Sequence, residues 1–178
     1  MAVVPTPPTI EMGVSDTSEF NQFRDAIRFV QAPPIAELRE VAAQTFTTAV
    51  AAAVQFGAFD VDTDVDTIGG HDIVTNNTRY TARYPGWYQV SGVVAFATNG
   101  TGDRFAWLMV NGVDANGSLG FSAGDATAVT ETPCHTKHVY LNVGDYVELI
   151  GFQNSGGNLN TAVTTREQPS MSVRWVSQ

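Results

Sequence analysis

The chain has 178 residues, a net charge of −9 and a pI near 4.5, with 43% hydrophobic residues. That length suggests one principal domain with an appendage, and the apolar fraction is enough for a core of ordinary size. Such an acidic surface repels nucleic-acid phosphate and anionic lipid, so nucleic acid is excluded as a partner and membrane insertion is not expected. Cys134 is the only cysteine, which rules out an intramolecular disulfide.

The N-terminal residues 1–14 carry prolines at 5, 7 and 8 and no hydrophobic period. This reads as an extended arm. No basic end followed by an apolar run is found there, so a secretory signal peptide is not expected. Asp16-Thr17-Ser18-Glu19 then has the form of a capping box that opens a helix. Phe20, Phe23, Ile27 and Val30 follow at i, i+3, i+7 and i+10 as a single apolar stripe, and Pro33-Pro34 ends the helix. A helix of about four turns is not stable alone in water. Its stripe must lie on its own head, on copies of itself or on another protein, and the arm ahead of it favours an anchoring role. Residues 1–34 are accordingly taken as arm and anchoring helix, and residues 35–178 as the head.

From residue 35 to 66 the pattern turns to β. Residues 37–46 alternate loosely, and Val54, Phe56 and Ala58 share one side of a strand expected over 53–59, with a turn ahead of it. Asp60, Asp62, Asp64 and Asp66 would line one face of an extended segment, where like charges repel and attract a cation. An EF-hand is excluded, because the sixth position from Asp62 is Thr67 and the twelfth is Ile73. Loops are expected at Gly69-Gly70 and Asn76-Asn77. Residues 79–83 then lead into the longest alternating run in the chain, residues 80–97. There Pro85-Gly86 marks a turn, and Tyr88, Val90, Val94 and Phe96 point one way.

Residues 105–110 run to Asn111-Gly112, a strong hairpin signal. Both sides of this strand are apolar: Phe105, Trp107 and Met109 against Ala106, Leu108 and Val110. The strand from Val147 to Phe152 has the same property. One protomer buries one side, so a second body is expected over the other, which argues for an oligomer. The tryptophans are expected in the core, because they stand inside alternating strands. Residues 139–152 read as two strands hinged at Gly144-Asp145 and paired with the long run. Strand signals recur at 119–122 and 127–132, a wide loop spans 154–158, and Met171, Val173 and Trp175 face inward on the last strand.

Three constellations carry the letters of chemistry. Gly120-Phe121-Ser122-Ala123-Gly124 has the nucleophile-elbow spelling, with Asp125 and His135 after it, but the flanking text reads as turn and strand instead of strand and helix. An enzyme is therefore not expected. Cys134 and His138 share one side of an extended strand about 13 Å apart, with His135 opposite, so they do not converge on a metal. Trp87, Trp107, Tyr84, Tyr140 and Phe121, with Arg104, Asn116, Asn154 and Asn158 on loops, could provide stacking and hydrogen bonds for a sugar. Sequons at Asn76, Asn99 and Asn116 each fall in a turn that favours asparagine for its own reasons.

Two blocks resemble a known family: the Pro85-Gly86-x-Tyr88 strand, and some fifty residues later Leu141-x-x-Gly144-Asp145-x-Val147. They are similar to the globular head of the C1q and tumour-necrosis-factor superfamily, in the version found in minor tail proteins of phages that infect actinobacteria. The resemblance covers about the last three quarters of the chain. It implies an all-β antiparallel jelly-roll sandwich behind the arm and one short α-helix. It also implies a homotrimer, and a Ca2+ near the top of the head with Asp60, Asp62 and Asp64 as candidates. No other cofactor is implied. Trp87, Tyr88, Phe105, Trp107, Met109, Tyr146 and Phe152 are the residues expected in the trimer or core strands. The expected function is that of a virion structural protein, made in the host cytoplasm and held to other virion proteins through residues 1–34. A minor tail or tail-fibre position, with the head contacting a host cell-surface glycan, is favoured. Capsid decoration and a soluble carbohydrate-binding module are the alternatives.

Overall fold

The computed structural model of the protein describes residues 17–57 and 65–178. The arm, Asp16 of the capping box, and Asp60, Asp62 and Asp64 lie outside the described residues. Helix α1 (Thr17–Gln31) leads into β1 (Ile35–Arg39), β2 (Thr45–Phe46), β3 (Ala52–Ala53) and β4 (Val65–Asp66). Next come β5 (Arg79–Thr81), the long β6 (Gly86–Phe96), β7 (Asp103–Val110), β8 (Val113–Asp114) and β9 (Gly120–Ala123). The chain closes with β10 (Thr130–Pro133), β11 (Lys137–Leu141), β12 (Tyr146–Gln153), β13 (Leu159–Asn160) and β14 (Ser170–Ser177).

Two antiparallel sheets face each other. The first runs β10-β6-β14-β1-β4, with β11 continuing along β6. The second runs β3-β12-β7-β8, with β5 on β12 and β9 on β7. This is the antiparallel jelly-roll sandwich anticipated from the sequence, with the short β13–β2 pair beside it. Between the sheets lie Tyr88, Val90, Val94 and Phe96 of β6, facing Leu108, Leu149 and Val147, with Leu38, Met171 and Val173 alongside. Each such aliphatic or aromatic side chain, fully buried, contributes about 1.5–3 kcal/mol. The alternation read from β6 and β14 is the alternation seen.

Several expectations are corrected. The block 139–152 does not pair with β6 as a unit. β11 pairs β6, from Leu141↔Gly86 to Lys137↔Val90, whereas β12 crosses to the other sheet and pairs β7. The crossing is made at Gly144, whose φ is +92°, and is fixed by Asp145. Its carboxylate accepts from the Asn142 amide at 2.7 Å and from Asn111 Nδ2 at 2.9 Å, while Asn111 Oδ1 accepts the Tyr146 amide. The Gly-Asp signature thus ties the sheet crossing to the β7–β8 turn. Those hydrogen bonds hold Asp145 below the usual carboxylate range. Residues 79–81 likewise do not extend β6. They form β5 on β12 in the other sheet, and the chain bends at residues 83–84 before β6 begins at Gly86.

Of the strand expected over 53–59, residues 58 and 59 lie outside the described residues, and among 53–57 only Ala53 belongs to a strand. Val54 and Phe56 are buried as anticipated, but their amides go to Leu149 and Asn77 carbonyls outside any ladder. Gly86, at φ +144°, lies so close to the Trp175 indole and the Ser177 carbonyl that no side chain fits there. Tyr88 Oη donates to the Tyr84 carbonyl across the same turn, which accounts for the Pro-Gly-x-Tyr spelling.

Candidate functional site

The surfaces that could bind something are the two outward faces of the sandwich and the outer side of α1. On the second sheet, Phe121, Phe105 and Phe152 stand in register across β9, β7 and β12. Their ring centroids are 5.3 and 5.7 Å apart, and Phe121 is 59% exposed. The next row sets Trp107 beside Ile150 and Ala53, and the one after sets Met109 beside Glu148. Tyr146 lies under the Arg79 guanidinium at 4.0 Å, so this face turns polar at that end.

On the first sheet, Trp87 and Tyr140 are cross-strand partners with ring centroids 5.7 Å apart, 45% and 46% exposed, and Val176 is also exposed. Beyond them the face is polar, with rows His138–Gln89–Arg174 and Ser91–Ser172–Glu37. A groove of about 540 Å³ runs along it, bordered by Glu37, Thr67, Gln89, Ser91 and Arg174.

The tryptophans therefore divide. Trp175 is buried at the edge of the core, but Trp87 and Trp107 stand on outward faces, against the expectation that they are core. In β6 the alternation read from the sequence already sets Tyr88 inward and Trp87 on the opposite side, and in β7 the inward side chains are Arg104, Ala106 and Leu108.

The helix is held in a way its stripe does not suggest. Phe29 packs edge-on against Tyr84 at 5.0 Å and Trp175 at 4.8 Å, and Ala26 is buried. Phe20, Phe23, Ile27 and Val30, the four residues of the stripe, all remain exposed. Phe29 was missed because it falls one residue before Val30, outside the stripe. The aromatic pair Tyr84 and Trp175, both next to the turn at Pro85-Gly86, was the signal available.

The sugar-contact candidates are not gathered in one place. Arg104 is fully buried, with its guanidinium donating to the Asn99, Thr101 and Asp103 carbonyls at 2.8–3.1 Å. Burial pulls its pKa below the usual arginine value. Asn154 accepts the Asp103 amide as a loop clasp, and Tyr84 supports α1. Trp107 and Asn116 do meet, with Asp114, around a hollow of about 270 Å³, where Trp107 Nε1 donates to Asp114 Oδ1 at 2.8 Å. Asn158 is exposed on the separate 154–158 loop.

Ser122 lies on β9, its hydroxyl donating to the Glu131 carbonyl at 3.1 Å, with no helix after it. Asp125 accepts the Thr127 amide and hydroxyl and the Ala128 amide, which hold its pKa low and engage it within its own turn. No group of three His, Cys, Asp or Glu able to hold a metal occurs among the described residues. Among them, too, no helix is long and apolar enough to cross a membrane.

No protein-family profile and no curated protein matches the sequence. Solved structures do match. Murine APRIL at pH 8.5 superposes with a TM-score of 0.53 at 10% identity, covering 79% of this chain and 98% of that one. Murine APRIL at pH 5.0 superposes with a TM-score of 0.53 at 11% identity over the same shares. Eiger TNF from S. frugiperda gives 0.54 at 10% identity, covering 82% and 93%. At such identities the likeness is one of fold: the chain is built as a TNF-like jelly roll.

Proposed function

We propose that this chain is a structural protein of a phage virion: a homotrimeric minor tail or tail-fibre component with its jelly-roll head turned outward to the host surface. Residues 1–34 attach it to other virion proteins. The observation that carries this reading is that one head presents aromatic patches on both of its outward faces. Trp87 and Tyr140 stand on one sheet, and Phe105, Phe121 and Phe152 on the other. A two-fold contact covers a patch with itself and leaves the second wet. A head-to-tail contact sets the first patch of each copy on the second patch of the next, and a rotation of one third of a turn per copy closes such contacts into a ring of three. The Pro85-Gly86-x-Tyr88 and Leu141-x-x-Gly144-Asp145-x-Val147 blocks supply the likeness to phage tail proteins, and the TNF-like fold supports the jelly-roll part of that likeness.

Gold-labelled antibody against the head, applied to purified particles, tests the assignment. Label at the tail supports it, and label over the capsid selects decoration instead. Absence of the 19.1 kDa chain from the particles' mass spectrum defeats both. A second reading, a soluble carbohydrate-binding module, is favoured by the hollow of Trp107, Asp114 and Asn116. Specific signal on a glycan array, together with absence from particles, would establish it.

A further inference from the structure

With 3.6 residues per turn, the apolar residues of α1 spread over about half of its circumference. The head takes one edge of that sector through Phe29 and Ala26. What remains is Phe20, 68% exposed, with Phe23, Ile27 and Val30, 70% exposed, the last three lining an apolar groove of about 210 Å³. Their spacing is 3-4-3. Phe20 and Ile27 occupy a positions and Phe23 and Val30 d positions of two successive heptads, the seam of a coiled coil.

The place where α1 meets the head fits the same assembly. Phe29 sits on Trp175, the Trp175 indole abuts Gly86, and Trp87, the next residue, opens the exposed Trp87–Tyr140 patch. Helix stripe and aromatic patch therefore border one end of the first sheet.

We propose that the occupant of the α1 stripe is the same stripe on sister copies, so that the helices of one trimer zip in parallel into a short stalk beneath the heads. This rests on the trimer reading above and refines it. The helix joins copies of the chain, and contact with the particle falls to what precedes it. The order of events follows from length. Two heptads are too short to hold a bundle alone, so head association brings the helices together.

Disulfide trapping in the full-length chain tests this, since Cys134 is buried and leaves the background clean. Ile27→Cys sits at the seam and Asp25→Cys faces away, and neither substitution disturbs Phe29 or Ala26. Under mild oxidation the seam variant is expected to form covalent dimer at least about tenfold more readily than the control, as an a position demands. Equal cross-linking of the two variants overturns the proposal. So does an uncross-linked Ile27→Cys chain in a sample whose light-scattering mass is three times 19.1 kDa, a result that leaves the trimer standing and removes only the stalk. If Ile27→Cys instead cross-links to a different protein within particles and not to itself, the stripe is a particle contact and the proposal fails. A monomeric full-length chain defeats the trimer reading and the stalk together.

Discussion

Glu40 is 1% exposed, with Oε1 accepting the Thr161 hydroxyl at 2.8 Å and Oε2 meeting no donor. Burial raises its pKa from 4.5 to about 7, and the Thr161 and Gln44 hydrogen bonds only partly offset this. The folded value lies above the unfolded one. The favourable contribution of the neutral acid is therefore complete below about pH 4.5 and is lost as pH rises through about 7. At about 1.36 kcal/mol per pH unit, ionising Glu40 in the folded chain costs about 3 kcal/mol. Glu40→Gln should accordingly raise the unfolding free energy by about 1–3 kcal/mol at pH 8 and change it little at pH 4. Urea titrations at the two pH values read the difference, and an equal effect at both would refute the assignment. Arg104 is the opposite case, a buried cation whose partners are carbonyls. Arg104→Met keeps the bulk and removes the donors, so three carbonyls lose a partner at roughly 1 kcal/mol each. The expected loss is about 3 kcal/mol in the same titration, with no change in any glycan-array signal.

At the scale of elements, what the sequence revealed and what it hid have separate causes. Strands with one wet side were legible, since Tyr88, Val90, Val94 and Phe96 alternate against Gln89 and Ser91, and Met171, Val173 and Trp175 against Ser172 and Arg174. The hairpin at Asn111-Gly112 was legible because both residues take positive φ, +50° and +77°. Which sheet a strand joins was not legible, because residues 139–152 read as two strands about one hinge, and the crossing is set by Gly144 together with Asp145, which clasps Asn142 and Asn111. The phase of β7 was hidden for a related reason. Its outward Phe105, Trp107 and Met109 are as apolar as its inward Ala106 and Leu108, while its most buried polar residue, Arg104, reads in print as a surface cation. Of the candidate sites, the stripe on α1 was legible by its spacing, whereas its fixing to the head by Phe29 was not, since one phenylalanine off a stripe carries no period. That contact predicts that Phe29→Ala loosens α1 from Tyr84 and Trp175 at a cost of about 1–3 kcal/mol. Circular dichroism should show helix lost at a lower temperature than strand. If both melt together and unchanged, the helix is held by something else.

For the whole molecule the decisive property is that the aromatic patches on its two sheets differ. Trp87 and Tyr140 make up one, and Phe121, with Phe105 and Phe152, the other. In a head-to-tail ring every contact uses one patch of each kind. Trp87→Asp and Phe121→Asp, each placed on an exposed side chain, should each leave a folded chain that no longer closes the ring. The α1 seam, only two heptads long, is too short to hold three copies by itself. Mixed together, the two variants should behave differently from either alone. The Trp87→Asp copy still offers Phe121, the Phe121→Asp copy still offers Trp87, and one intact contact forms between them. Sedimentation should therefore find monomer in each separate solution and a pair in the mixture, never a ring, because the remaining patch at each end of the pair carries the aspartate. An isologous contact predicts no gain on mixing, since each copy would have to meet its own altered patch. Finding no pair in the mixture while the unsubstituted chain is trimeric would refute the ring and require a single self-matching face.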